Sequence, residues 1–287
     1  MMRTLCATAI AIMLAAPSAA AEPSEVWRAE GLSNPESVVL DPAANILYVS
    51  NVAGEPAAKD GKGFISKLSP DGKIVTLEWT TQLNAPKGMA LVGERLYVSD
   101  IDRLVAIHTK SGAVSNVWPA AGAQFLNDVA ADEQGRIFVS DMATNTIWLL
   151  DGDSFSVWLE DAKLENPNGL KVAGDKLIVA SWGKMEPDWS TKVPGHLLAV
   201  DIASKTIADL GDPAPVGNLD GLEPDGAGGW YISDWLAGGL YHAGPDGKAT
   251  QIMDLAQGSA DLGLIPDAKL LLVPMMIDGT LVAYKVE

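Results

Sequence analysis

The stretch PNGLKVAGDKLIVAS, residues 167–181, sets an uncharged amide, Asn168, just ahead of a run in which apolar and polar residues alternate. Alternation with period two marks a half-buried strand, and Gly174 and Asp175 supply a turn between two such strands. The stretch therefore reads as a hairpin introduced by a polar side chain. Five other segments repeat that shape: PESVVLDPAANILYVSN from Pro35, PKGMALVGERLYVSD from Pro86, LNDVAADEQGRIFVSD from Leu126, LDGLEPDGAGGWYISD from Leu219 and ADLGLIPDAKLLLVP from Ala260.

The introducing residues are Glu36, Lys87, Asn127, Asn168, Asp220 and Asp261, spaced 51, 40, 41, 52 and 41 residues apart. Their second strands close at Ser50, Ser99, Ser140, Ser181, Ser233 and Pro274, at offsets of 12 to 14 residues. A unit of about 40 residues built from short strands rich in Val, Ile, Leu and Tyr is the signature of a propeller blade. The expected fold is all-β: a six-bladed β-propeller with four-stranded blades. The two chain ends together supply the remaining strands, so the ring is expected to close by pairing SEVWRAE (24–30) with GTLVAYKVE (279–287).

Composition narrows the partners. The chain has 37 acidic and 20 basic residues, a net charge of -17, with the charges scattered instead of blocked. Nucleic acid and anionic lipid are both bound through Lys and Arg, so neither is an expected partner. Arg3, the apolar run LCATAIAIMLAA and the small residues Ala19 and Ala21 fit a cleavable secretory leader over 1–21, leaving one domain over 22–287. The expected location is periplasmic or secreted, and no other segment is long and apolar enough to cross a membrane. Cys6 is the only cysteine and falls in the leader, so the remaining chain has no disulfide or thiol chemistry. Histidine occurs only at 108, 196 and 242. No Gly-rich phosphate loop, CxxC pair or HExxH is present.

In a propeller the first strand of each blade lines the central channel, so the six introducers form a ring at its mouth. The end of each second strand returns to that face. The two long units carry their extra residues there, in NVAGEPAAKDGKG after Ser50 and WGKMEPDWSTKVPG after Ser181, on opposite blades. Two facing overhangs above a polar mouth read as a lid over a pocket. Glu36, Asn127, Asn168 and Asp220 offer hard oxygen donors only, two anionic and two neutral, which suits Ca²⁺. Softer metals would call for His or Cys. The competing explanation is that these polar residues satisfy orphan backbone groups at the mouth, with no metal.

The set Glu, Asn, Asn, Asp, in the contexts PES, LND, PNGL and LDGL of blades one, three, four and five, resembles the metal site of the SMP-30/gluconolactonase family. It is also similar to that of the related paraoxonases and diisopropylfluorophosphatase. The resemblance runs over nearly the whole of 22–287. It implies that Glu36, Asn127, Asn168 and Asp220 bind a divalent cation, with Asp220 also a candidate base. It further implies hydrolysis of lactones, esters or phosphoesters by metal-assisted attack of water. Sugar-lactonase members often carry Arg two residues before the first Asn; this chain has Phe125, which favours a more apolar small-molecule substrate. Paraoxonase-like members place a histidine base near the metal, whereas all three histidines here fall well downstream of any introducer.

Blade six offers Asp261 as a second candidate base, and blade two offers Lys87. Lys87 could hold a substrate carboxylate or stabilise an oxyanion, and could equally pair with Asp261 or Glu36. Asp128 reads as a residue behind the metal ligands or as a turn former. Asn51, Asp100, Asp141 and Asp234, which follow the closing positions, read as turn or blade-to-blade hydrogen-bonding residues. Trp182, Met185 and Trp189 could line an apolar pocket or pack the blade-four insertion, and Met275 and Met276 could face the pocket or seal the closure. Two functions follow: an exported metal-dependent hydrolase of lactone, ester or related bonds, and a non-catalytic ligand- or protein-binding propeller with a structural metal.

Overall fold

The computed structural model describes residues 22–186 and 188–286; the leader expected over 1–21 lies outside them. Six four-stranded antiparallel sheets stand around one axis, each running from the axis outward in chain order except the last. The inner strands are Pro35–Asp41, Pro86–Val92, Leu126–Ala131, Pro167–Ala173, Leu219–Pro224 and Gly263–Ile265. The expected closure is present: Ser24–Glu30 forms the outer strand of the sixth blade and pairs with Thr280–Lys285, Ser24 opposite Lys285. Helical structure among the described residues is limited to two 3-10 turns, Ala162–Leu164 and Pro266–Ala268, and no helix is long and apolar enough to cross a membrane.

The core lies between blades. Six buried apolar clusters fill the six interfaces, and each draws its side chains from two neighbouring sheets. Leu47, Val49 and Leu68 of blade one meet Leu272, Leu281 and Ala283 of blade six. Phe138 and Ile147 of blade three meet Leu177, Val179 and Leu198 of blade four. Because each middle strand is covered on both faces, strands such as LYVS and LIVA read as continuous apolar runs.

One local device positions the channel residues. The pairing of first and second strands slips at the introducer and its successor in blades one to five, between Pro35 and Val38, Pro86 and Met89, Leu126 and Val129, Pro167 and Leu170, and Leu219 and Leu222. Blade six slips by one residue in the same place, between the bridge Ser259–Met275 and the pair Gly263–Leu272. A bulge removes two peptide groups from the ladder and re-aims the side chain at the kink. The closing serines satisfy what the bulge frees: the hydroxyls of Ser50, Ser140 and Ser233 accept the N–H of Ser37, Asp128 and Gly221 at 2.8–2.9 Å. They also reach across. Ser140 donates to the carbonyl of Asn168 at 2.7 Å, Ser233 to that of Ala260 at 2.8 Å, and Ser99 to that of Asn127. Asn127 and Asn168 are thus each braced by the blade before them.

The residues after the closing positions behave as expected. Asp100 accepts the N–H groups of Asn84 and Ala85, Asp141 those of Gln124 and Phe125, Asn51 that of Ser33, and Asp234 those of Leu236 and Ala237. Asn51, Asp100 and Asp141 fix the loops from which the inner strands start, and Asp234 fixes the turn that follows it.

Inner strands also approach one another too closely for a side chain at some bulge positions. A Cβ on Gly169 would lie 2.1 Å from the carbonyl oxygen of Asp220, and one on Gly221 2.2 Å from the nitrogen of Leu262. Gly169→Ala must therefore push blades four and five apart. We expect a loss of about 3 kcal/mol of unfolding free energy, read as a lower denaturant midpoint at unchanged slope.

Candidate metal centre and pocket

A cavity of about 620 Å³ opens at the channel mouth. Glu36, Asn127, Asn168 and Asp220 line it together, as does Lys87. The bulges of five blades thus deliver their introducers to one space, although 184 residues separate the first from the last of the four oxygen-bearing ones. Asp261 does not line the cavity: its carboxylate accepts the Ser37 hydroxyl at 2.6 Å, and its charge acts on Lys171 and Asp128. Of the two candidate bases, only Asp220 borders the space a substrate would fill.

The four oxygen-bearing residues are almost fully buried, and several of their atoms have no partner. Oε2 of Glu36 and Oδ1 of Asn168 make no hydrogen bond, and the amide of Asn168 has only the Asp220 carboxylate beside it. Asn127 turns its Nδ2 toward the Sδ of Met142 at 3.8 Å. Buried polar atoms left unpaired cost free energy, which weighs against the explanation that these residues only cap backbone groups. Among the described residues no group of three or more His, Cys, Asp or Glu side chains forms a ligand cluster. Any cation held here would rely on the two amide oxygens as well as the two carboxylates. That donor set, all oxygen and only partly charged, fits Ca²⁺ better than a softer metal.

Electrostatics point the same way. Burial, followed by the charges of Asp220 and Asp261, lifts the Glu36 carboxyl well above the usual carboxylate range, and Lys87 offsets part of the rise. Burial and then Asp261 lift Asp220 likewise, against a lowering contribution from the Asn168 amide. Burial also raises Asp128 to about 7, although its oxygens accept the N–H groups of Leu170 and Val129. Asp128 therefore stands behind the ligand candidates, tied to the inner strand of blade four.

Lys87 forms neither of the salt bridges open to it on sequence grounds. Its ammonium donates to the carbonyls of Pro56 at 2.9 Å and Ala85 at 3.1 Å, and sits 4.3 Å from the centre of the Phe125 ring. Burial lowers it to about 8, opposed by Glu36 and Asp100.

The remaining walls are apolar. Phe125, Met142, Trp182, Met185, Trp235 and Met276 line the cavity, and Trp189 meets Phe125 edge-on at 5.4 Å between ring centres. Both overhangs contribute. The blade-one insertion supplies Glu55, Pro56, Ala57 and Ala58. The blade-four insertion folds as a hairpin of Gly183–Met185 and Thr191–Pro194 and supplies Met185 and Trp189. Met142, Trp235 and Met276 share a register that sequence reasoning did not use, two residues after the closing position of their blades. Met275, one residue earlier, is buried in the interface with blade five. None of the three histidines lines the cavity; His196 and His242 bond to Asp209 and Asp225.

Comparison with solved structures places this architecture. The chain superposes on a gluconolactonase from Xanthomonas campestris with a TM-score of 0.71, over 96% of this chain and 99% of that one, at 15% identity. The fold is the one that gluconolactonase has. The propeller also matches a streptogramin B lyase, with a TM-score of 0.64 and 8% identity over 93% and 97% of the two chains. A chain of a nidogen/laminin complex matches over 75% of this propeller and 78% of its own length, with a TM-score of 0.60 and 17% identity. No family model and no curated protein sequence matches the chain. The all-β, six-bladed architecture implied by the resemblance to SMP-30/gluconolactonase proteins is the one found.

Proposed function

We propose that the propeller is an exported, divalent-cation-dependent hydrolase of lactone, ester or related bonds, acting on a small, largely apolar substrate. The observation that carries this reading is the meeting of Glu36, Asn127, Asn168 and Asp220, with buried unpaired atoms, on a mostly apolar cavity of about 620 Å³. The gluconolactonase and streptogramin B lyase that share the fold are named as enzymes of small molecules, which supports a small-molecule substrate.

Glu36, Asn127, Asn168 and Asp220 would hold the cation, with Ca²⁺ the best fit to their oxygens. A bound cation supplies Lewis acidity toward a carbonyl or phosphoryl oxygen and toward water. Asp220 would accept the proton of the attacking water at a carboxylate oxygen. Phe125, Trp182 and Trp235 orient the apolar body of the substrate and exclude bulk water. Phe125 occupies a place where an arginine would bind a polyol, so polyhydroxy lactones are poor candidates.

The alternative, a non-catalytic binding propeller whose metal only stiffens the mouth, draws support from the nidogen/laminin likeness and from a cavity without histidine. Calcium titration of the metal-free protein by calorimetry, followed by an assay of apolar lactones, aryl esters and phosphotriesters with and without chelator, separates the two. The hydrolase reading expects one bound cation and turnover that chelator abolishes and added Ca²⁺ restores. Cation binding without turnover of any substrate would leave the binding module.

A further inference from the structure

Lys87 is the single cation on the cavity wall among the described residues, and it is held there without a counter-ion. An ammonium has three N–H donors. The carbonyls of Pro56 and Ala85 take two, and the Phe125 ring covers one side of the group at 4.3 Å. One donor is left for whatever fills the cavity. A lysine serving only as a structural pair would sit against a carboxylate. This one is instead clamped between backbone carbonyls of the blade-one overhang and the root of its own strand, which fixes where its charge lies.

Resting on the metal site proposed above, we propose that Lys87 is an anion subsite, and that the pocket takes amphiphilic substrates with an apolar body and a carboxylate or similar anionic group. Charge argues for it. Once the cation is bound, its two charges balance Glu36 and Asp220, and Lys87 leaves the inner pocket net positive. Glu55, the other acidic residue on the wall, lies exposed at the rim. Glu36 and Asp100 are the charged groups that act on Lys87, and neither pairs with it. An acidic protein would otherwise repel such a ligand; here the positive charge is confined to the inner wall. The apolar side chains of the same cavity, including Trp182, Trp235 and Met276, take the rest of the molecule. A ligand that spans both regions uses the whole cavity.

The test is equilibrium binding of 2-naphthoate and its uncharged amide, 2-naphthamide, to the calcium-loaded protein. Wild type is expected to prefer the carboxylate by roughly 10- to 100-fold, the range of a charge-assisted hydrogen bond. Lys87→Met should abolish the preference, the carboxylate losing more affinity than the amide. Wild type itself offers a second measurement that needs no variant. The preference should fade toward alkaline pH, because burial holds the Lys87 ammonium below its usual range and its proton is lost there. Equal affinities in wild type, or a preference undiminished in Lys87→Met or at pH 9.5, would overturn the subsite; the latter would mean that the carboxylate binds the metal. Hydrolysis is scored separately. Turnover of apolar lactones without carboxylate preference removes the subsite and keeps the hydrolase, and preference without turnover does the reverse.

Discussion

Asp220→Ala is expected to weaken Ca²⁺ binding by about a hundredfold and to abolish cation-dependent turnover, while making the metal-free protein more stable. The opposite signs come from the same carboxylate. In the metal-free pocket Asp220 is buried near Glu36 and Asp261, and all three carboxyls are pushed well above their ordinary range, first by burial and then by neighbouring carboxylates. Removing one takes a buried carboxyl, and its repulsion of Glu36, out of a pocket with no cation to offset them. In the loaded pocket the same removal leaves Glu36 as the only anionic donor, with two amides. Thermal unfolding with and without Ca²⁺ reads both effects. Wild type should gain in melting temperature on loading, and Asp220→Ala should start higher and gain little. A variant that loses stability without metal and keeps its response to Ca²⁺ would show that Asp220 is a structural acid, and would sink the site proposed for it.

Metal-free protein should lose stability as pH rises from 5 to 8, and calcium should restore it most at the high end. Asp128, Glu36, Asp220 and Asp261 all have carboxyls raised by burial in the native state. A raised acid keeps its proton in the native state after the unfolded chain has released it. Its contribution is therefore full below the unfolded value near 4 and is lost as pH passes the native value. For Asp128 that value is about 7, so this residue alone accounts for a change on the order of 3 kcal/mol between pH 5 and 8. Denaturant titrations at pH 5, 6, 7 and 8, with chelator and with Ca²⁺, test this directly. A flat profile in chelator would mean that the channel carboxylates are solvated or paired in a way this structure does not contain.

Much of this was legible beforehand because a propeller writes its geometry into sequence period. Spacings of 40 to 52 residues between introducers fixed six blades, and matching offsets from Glu36 to Ser50 or Asn168 to Ser181 fixed which residues face the axis. Convergence of Glu36, Asn127, Asn168 and Asp220 on one cavity then followed from the architecture. What was not legible depended on contacts between blades. The hydroxyls of Ser140 and Ser233 each serve their own bulge and the next blade at once, a relation between residues as far apart as Ser140 and Asn168, 28 positions away. Asp261 occupies an introducer position yet bonds to Ser37 of the next blade, a partner 224 residues away. Lys87 stands clear of the acids it was matched with because an insertion from blade one brings Pro56 to it. Met142 and Trp235 were missed because their signal, a shared offset after the closing position, appears only when the six segments are laid in register beyond their strands.

The strand Ser24–Glu30 stands at the start of the described chain and finds its only sheet partner in Thr280–Lys285, near the end. During synthesis it has nothing to zip onto until the final hairpin has emerged, so its edge must be kept from pairing with strangers for almost the whole time the protein is being made. A ring clasped in this way assembles its last joint when nearly everything else is already in place, and a polypeptide cut short by even its last ten residues would be an open arc with two sticky margins.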